Sequence, residues 1–282
     1  MEKKRIPSLD GVRGIGIFCV LIVHALFKLN AGGDQTGTLI VAALIGYPPM
    51  KFFFLISGYL ITLLLKKEWE REGWFSLRKF YFRRVLRIFP VFYSFIIVLT
   101  LLWTAGLVTT HASTILSAAL YVWNYSFIWF PHNDPHLYAQ IDQGFAIFAH
   151  FWTLSCEEQF YLLWPLTLYF FGFRKGSRIA VAVVLLLPVS RIVTYVLWPA
   201  ARGQMMIMLH TTADPIMAGC LMAVWQGEPW WEKIKDYLDN GRIAIAATIF
   251  VIFISPVLQL TMGGTYDLTI GRTLDAAGML IV

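Results

Sequence analysis

The chain has 282 residues, of which 58% are hydrophobic, 16% aromatic and only 14% charged, with a mean hydropathy of +0.64. A soluble domain carries about 25% charge, so disorder, a collagen-like rod and a water-soluble domain are excluded, and repeated apolar runs of about 17 to 25 residues predict an all-α polytopic membrane bundle of about eight spans. The net charge of +6 falls in short loops beside those runs, where it encodes membrane orientation, which excludes nucleic acid as the partner and leaves the lipid bilayer.

Lys3, Lys4 and Arg5 precede an apolar run over residues 12–29. Basic flanks stay in the cytoplasm, so the N-terminus is expected there. The run has no small-x-small cleavage site and contains His24 and Lys28, unlike a cleaved signal peptide. A second span is expected over residues 46–65. Residues 66–87 hold eight Lys and Arg residues and should be a cytoplasmic loop. A third span over 88–107 returns outward, and residues 108–151 contain no Lys or Arg, as suits an external segment. Within it, residues 113–130 are apolar enough to span. Counting them would place Arg174, Lys175 and Arg178 outside, so a re-entrant or interfacial helix is expected instead.

Further spans are expected at 150–171, 179–197, 205–225, 243–260 and 268–282. Residues 226–242, with Trp230, Trp231, Lys233, Lys235 and Arg242, read as an interfacial amphipathic helix. The last run stops at Val282 without a polar flank. Residues 1–282 are therefore expected to be a single membrane domain, incomplete at its C-terminus. Cys19, Cys156 and Cys220 are far apart in apolar surroundings and read as core filler, with neither a disulfide framework nor a zinc pattern.

Ionisable groups inside spans are costly unless paired or solvated, which makes Arg13, His24, Lys51, Glu157, Glu158, Arg191, Asp214 and Asp275 functional candidates. Arg13 and His24 are eleven residues apart, within about 20° of whole turns, so they share a helix face about 16 Å apart. Asp10 can cap that helix and hold the Arg13 guanidinium. The ordinary alternative has Arg13 snorkelling to the inner headgroups and His24 bonding a neighbouring helix.

Glu157 and Glu158 are adjacent, about 100° apart on a helix, so they cannot both face one partner; Glu157 shares its face with Tyr161 and Trp164. One acid is expected to act and the other to be solvated, unless both merely line an aqueous vestibule. His24 lies about 18 Å above the inner end of its span and Glu157 about 10 Å below the outer end of its own. These levels agree closely enough for a base and a carboxylate to meet in the outer half of the membrane. Arg84 and Arg87, with Arg83 beside them, share a helix face and suit either a phosphate-bearing ligand or anionic lipid. Ser57-Gly58-Tyr59 reads as close helix packing more than as a nucleophile. His132 and His136 flank Pro135 in a loop, which argues against a metal site. Asn124-Tyr125-Ser126 is formally a glycosylation acceptor.

Four motifs stand in order over residues 6–165. They are Ile6-Pro7-Ser8-Leu9-Asp10-Gly11-Val12-Arg13 with ten residues before His24, Phe52-Phe53-Phe54-Leu55-Ile56-Ser57-Gly58-Tyr59, Arg84-x-x-Arg87-Ile88-x-Pro90, and Trp152-x-Leu154-Ser155-x-Glu157-Glu158-Gln159-Phe160-Tyr161. Together they resemble the acyltransferase 3 family of membrane O-acyltransferases, with a weaker echo at Asp214, Gly219 and Ala223. The resemblance implies transfer of an acyl group, usually acetyl, from cytoplasmic acyl-CoA to a hydroxyl of an extracytoplasmic glycan or lipid-linked sugar, in a bacterial inner membrane. His24 then falls on the family's catalytic histidine, with Arg13 and Asp10 on its helix and Glu157 to orient the imidazole or stabilise its protonated form. Arg84 and Arg87, with Arg83, fall where the donor is held. No metal is implied. The family commonly has more spans than are counted here.

A proton-coupled transporter is the rival reading, since buried His, Glu and Arg also line ion pathways. Against it, no second copy of the N-terminal pattern appears in the later spans. A non-catalytic scaffold would need neither His24 nor Glu157 in the bilayer.

Overall fold

The structure, a computed structural model, describes residues 7–29, 36–126, 147, 148 and 150–281. The side chains of Asp10 and Arg13, and all of His132 and His136, lie outside the described part. Every described element is helical, as the apolar runs require.

The first elements are α1 (Pro7–Leu29) and a short α2 (Thr36–Val41), which continues through a π-turn (Ala42–Gly46) into α3 (Tyr47–Glu72). Pro48 and Pro49, which have no N–H to donate, directly follow the π-turn in this continuous helix. Next is α4 (Leu77–Thr104), started by Ser76, whose hydroxyl accepts from the Lys79 N–H at 3.3 Å. The basic loop expected at residues 66–87 is thus mostly helix, with a turn at 73–76. Hydropathy puts the third span too late because Arg78, Lys79, Arg83, Arg84 and Arg87 depress the average. Lys and Arg are nonetheless good helix formers with apolar stems, and the helix runs through them.

The segment expected to be re-entrant contains α5 (Ala112–Ala119) and a 3₁₀ turn (Trp123–Tyr125). At eight residues, α5 is about 12 Å long and cannot cross a core of about 30 Å. The long α6 (Phe151–Leu197) contains Gly172 at φ 69° and ψ 171°. That left-handed backbone favours glycine, and it divides α6 into two helices that correspond to the expected spans at 150–171 and 179–197.

Past a 3₁₀ segment (Pro199–Gln204), the chain forms α7 (Leu209–Thr212), α8 (Asp214–Trp225), α9 (Pro229–Leu238) and α10 (Gly241–Ile249). A π-turn (Phe250–Ile254) leads to α11 (Ser255–Met262), α12 (Gly264–Leu268) and α13 (Gly271–Ile281). Two expected spans are corrected here. The run at 205–225 is continuous helix only from Asp214, where Pro215 in the first turn starts α8. The run at 268–282 shortens to the eleven residues of α13. Helices long and apolar enough to cross a membrane are Leu44–Glu72, Leu77–Thr104, Phe151–Leu197 and Gly241–Met262, with shorter apolar helices at Gly14–Leu26 and Asp214–Trp225. No residue of α9 is buried, and the rings of Trp225, Trp230 and Trp231 cluster with centroids 5.1 to 5.9 Å apart, a composition suited to a membrane interface.

The chain forms two compact units, one of residues 1–66, 177–189 and 213–282, the other of residues 67–176 and 190–212. In the first unit the backbones of α3 and α8 touch. A Cβ on Gly58 would lie 2.0 Å from the Ile216 carbonyl oxygen, and one on Gly219 would lie 2.0 Å from that of Leu55. Only glycine permits this approach, which assigns Ser57-Gly58-Tyr59 to packing. Lys66 Nζ closes the end of α8 by donating to the carbonyls of Val224 at 2.9 Å and Gln226 at 2.6 Å, a cation placed on the negative end of the helix dipole. The second unit is built on Phe92, Ile96, Leu99, Ile115, Ala118, Trp123, Phe148 and Phe151. Cys156 and Cys220 are buried and Cys19 is half-buried, all as free thiols.

Candidate active site

In the second unit α4 runs antiparallel to the first half of α6. The Tyr81 hydroxyl donates to the Leu162 carbonyl at 2.9 Å, while eleven residues further along α4 the Phe92 ring meets that of Phe151 at 5.3 Å. This pairing sets Arg84 opposite the acidic stretch of α6. The Arg84 guanidinium carbon lies 3.8 Å from the centroid of the Tyr161 ring and 5.9 Å from that of Phe80. Tyr161 is buried, and its hydroxyl donates to Glu157 Oε2 at 3.1 Å. Arg84, Tyr161 and Glu157 therefore form one chain of contacts, with Glu157 and Tyr161 meeting as the i, i+4 spacing predicts.

Glu158, the neighbouring acid, is half-buried, and its Oε1 is buried with no hydrogen-bond partner among the described residues. Its charged neighbours are Arg84 and Glu157. The other arginines separate from Arg84: Arg87 is exposed, and Arg83, also exposed, lies 3.6 Å from Glu68 Oε2. Arg83 is turned about 100° from Arg84 on the helix, toward Glu68.

Gln159 and Asn124 hold the turn after α5 against α6. Asn124 Nδ2 donates to Gln159 Oε1 at 3.2 Å, and Gln159 Nε2 donates to Asn124 Oδ1 at 2.8 Å and to the Tyr121 carbonyl at 2.7 Å. Asn124 is fully buried, so the glycosylation pattern is a chance match. His210, which sequence reasoning passed over, is held at both ring nitrogens: Nδ1 lies 2.8 Å from the Tyr125 hydroxyl and Nε2 lies 3.0 Å from Thr194 Oγ1. No spacing pattern announces it, since its partners come from distant segments.

In the first unit α1 seats against the start of α3, Gly16 facing Phe53 and Pro49, and Val23 facing Gly46. His24, the next residue along, is exposed. Four other charged candidates find structural partners. Lys51 Nζ pairs with Asp275 Oδ2 at 2.5 Å, the two side chains being 20% and 2% exposed. Asp214, fully buried, accepts from the Thr273 hydroxyl at 2.6 Å. In the second unit the buried Arg191 donates to the Thr211 carbonyl at 3.3 Å. His24 belongs to the first unit, whereas Glu157, Arg83, Arg84 and Arg87 belong to the second.

A guanidinium set on an aromatic face beside two carboxylates thus lies among helices long and apolar enough to cross a membrane, as in a polytopic membrane protein. The sequence pattern of an acyltransferase domain matches residues 6–281. The chain belongs to this acyltransferase 3 family. It is 28% identical over 237 residues to the peptidoglycan O-acetyltransferase OatA of Listeria monocytogenes, covering 79% of this chain and 35% of that protein. It is 30% identical over 277 residues to the O-acetyltransferase OatA of Staphylococcus aureus, covering 93% of this chain and 43% of that protein. A putative O-acetyltransferase of Staphylococcus aureus strain COL is 32% identical over 170 residues, covering 59% of this chain and 25% of that protein. The chain thus spans less than half the length of these curated relatives. No solved structure matches it.

Proposed function

We propose that the chain is an integral membrane O-acetyltransferase. It moves an acyl group, acetyl in the first instance, from cytoplasmic acyl-CoA to a hydroxyl of an extracytoplasmic glycan or lipid-linked sugar, in a bacterial inner membrane with the N-terminus in the cytoplasm. The names of the relatives support the reaction class. The observation that carries the reading is the setting of Arg84. A lipid anchor would extend to the headgroups, whereas this guanidinium lies on the buried Tyr161 ring beside Glu158.

In this account Arg84 and Arg87 bind the donor's phosphates, with Arg83 at the edge. Neutral His24 takes the proton of the acceptor hydroxyl as its oxygen attacks the thioester carbonyl. The carbon–oxygen bond forms, the carbon–sulfur bond breaks, and the proton passes to the departing thiolate, giving an ester and free coenzyme A. Glu157 steadies the charged imidazole, and Arg13, held by Asp10, positions the donor. The test is transfer of radiolabelled acetyl from acetyl-CoA in membranes carrying the wild type, His24→Ala or the double variant Arg84→Ala/Arg87→Ala. Label on a glycan or lipid-linked sugar only with His24 intact supports the transferase. Proton-dependent solute uptake without any transfer would replace it with a transporter.

A further inference from the structure

Beside Arg84 and Glu157 lie two buried polar atoms with no hydrogen-bond partner among the described residues, Glu158 Oε1 and the Tyr121 hydroxyl. Such orphans are rare and ask for an explanation. Both belong to the stretch where α4, the turn after α5 and α6 meet, and the geometry around Tyr121 shows how. Its ring stacks on Phe92 with centroids 4.3 Å apart and planes at 20°, and on Phe89 at 6.0 Å and 26°. Its carbonyl accepts from Gln159 Nε2 at 2.7 Å, which ties it to the residue after Glu158. Tyr121 also has φ 56°, unlike any other described non-glycine residue. A side chain holds that left-handed conformation only where its surroundings over-determine it. Here the Phe89 and Phe92 stacks and the Gln159 hydrogen bond supply that constraint.

The two orphans are complementary. An ionised carboxylate only accepts hydrogen bonds, and a phenol hydroxyl has a proton to donate. An alcohol that reached both would donate to Glu158 and accept from Tyr121. The pair also sits nearer the Phe151 end of α6 than Arg84 does, because Tyr121 lies on Phe89 and Phe92 while Arg84 lies on Tyr161. A donor held at Arg84 and a hydroxyl held at Glu158 would be ordered along a single helix.

We propose that Glu158 and Tyr121 form a subsite that binds a sugar hydroxyl of the acceptor. The proposal rests on the transferase reading for the identity of its ligand. Glu158 here is a binding residue for the acceptor, distinct in role from Glu157.

The experiment uses the full chain in lipid nanodiscs, with chitopentaose and maltopentaose as soluble probes and acetyl-CoA as donor. Tyr121→Phe removes only the hydroxyl, and Glu158→Gln keeps the side chain's shape, so both variants should fold. Each is expected to weaken equilibrium binding of the better probe about tenfold, the effect of one lost hydrogen bond to a charged or buried group, while in Tyr121→Phe acetyl-CoA binding stays within about twofold of wild type. Arg84→Ala should do the reverse. Unchanged oligosaccharide binding in both variants would overturn the subsite and leave only water between the two groups; failure of the wild type to bind either probe would overturn it as well. Acetyl transfer that persists with an unchanged acceptor KM in both variants removes the subsite and leaves the transferase. Sugar binding lost in both variants of a chain that transfers nothing removes the transferase and leaves the subsite.

Discussion

Replacing Tyr161 separates its two tasks, the ring under Arg84 and the hydroxyl on Glu157. The guanidinium carbon stands 3.8 Å from the ring centroid, and the ring is buried, a geometry in which a desolvated cation–π contact contributes about 2 kcal/mol. If Arg84 must hold this pose to bind the donor, removing the ring in Tyr161→Leu raises the acetyl-CoA KM about 30-fold, since 1.4 kcal/mol corresponds to a factor of about ten. Tyr161→Phe keeps the ring and loses the 3.1 Å hydrogen bond to Glu157. It should leave the acetyl-CoA KM within about threefold and lower kcat instead, because the carboxylate loses a charge-assisted bond of about 1.5 to 3 kcal/mol. The assay is steady-state release of free coenzyme A from purified protein in nanodiscs, with both substrates varied. Equal KM changes in the two variants, or a kcat loss confined to Tyr161→Leu, would refute the division of labour.

Other changes test the packing and the electrostatics. Gly58→Ala forces a methyl group to within 2.0 Å of the Ile216 carbonyl oxygen, so α3 and α8 must separate; a loss of about 3 kcal/mol is expected, visible as a lower Tm in detergent, and an unchanged Tm would mean that the two backbones do not touch. Lys51→Met strands the buried Asp275 carboxylate and should cost about 3 to 5 kcal/mol, most of it recovered when Asp275→Leu is added; a double variant no more stable than the single one would show that the pair is not coupled. Expressed in a glycosylating host, the chain should carry no glycan at the buried Asn124, and a mass shift at that residue would contradict the clamp to Gln159.

How far the sequence could be read follows from the range of each signal. Helix periodicity is local, so the apolar runs announce the spans, and the shared face of Glu157 and Tyr161 follows from their four-residue spacing. Helix boundaries depend on caps and turns that hydropathy averages away. Ser76 starts α4 eleven residues before the average turns apolar, and Gly172 divides one long helix where two spans were expected. The surroundings of Glu158 depend on Arg84 of α4, distant in sequence. Tyr121 and His210 escaped notice, and Asn124 reads from sequence only as a glycosylation acceptor, for the same reason: each draws its meaning from partners more than ten residues away, and only the fold brings them together.

The central claim is that donor and acceptor reach the chemistry from opposite membrane faces. Sealed vesicles of known orientation test it most directly, with radiolabelled acetyl-CoA on one side only and the glycan acceptor on the other. The account predicts label on the glycan when acetyl-CoA is on the side of the basic α3–α4 turn, and none with His24→Ala. Label transferred when both substrates share one side, or transfer that persists in His24→Ala, would contradict it.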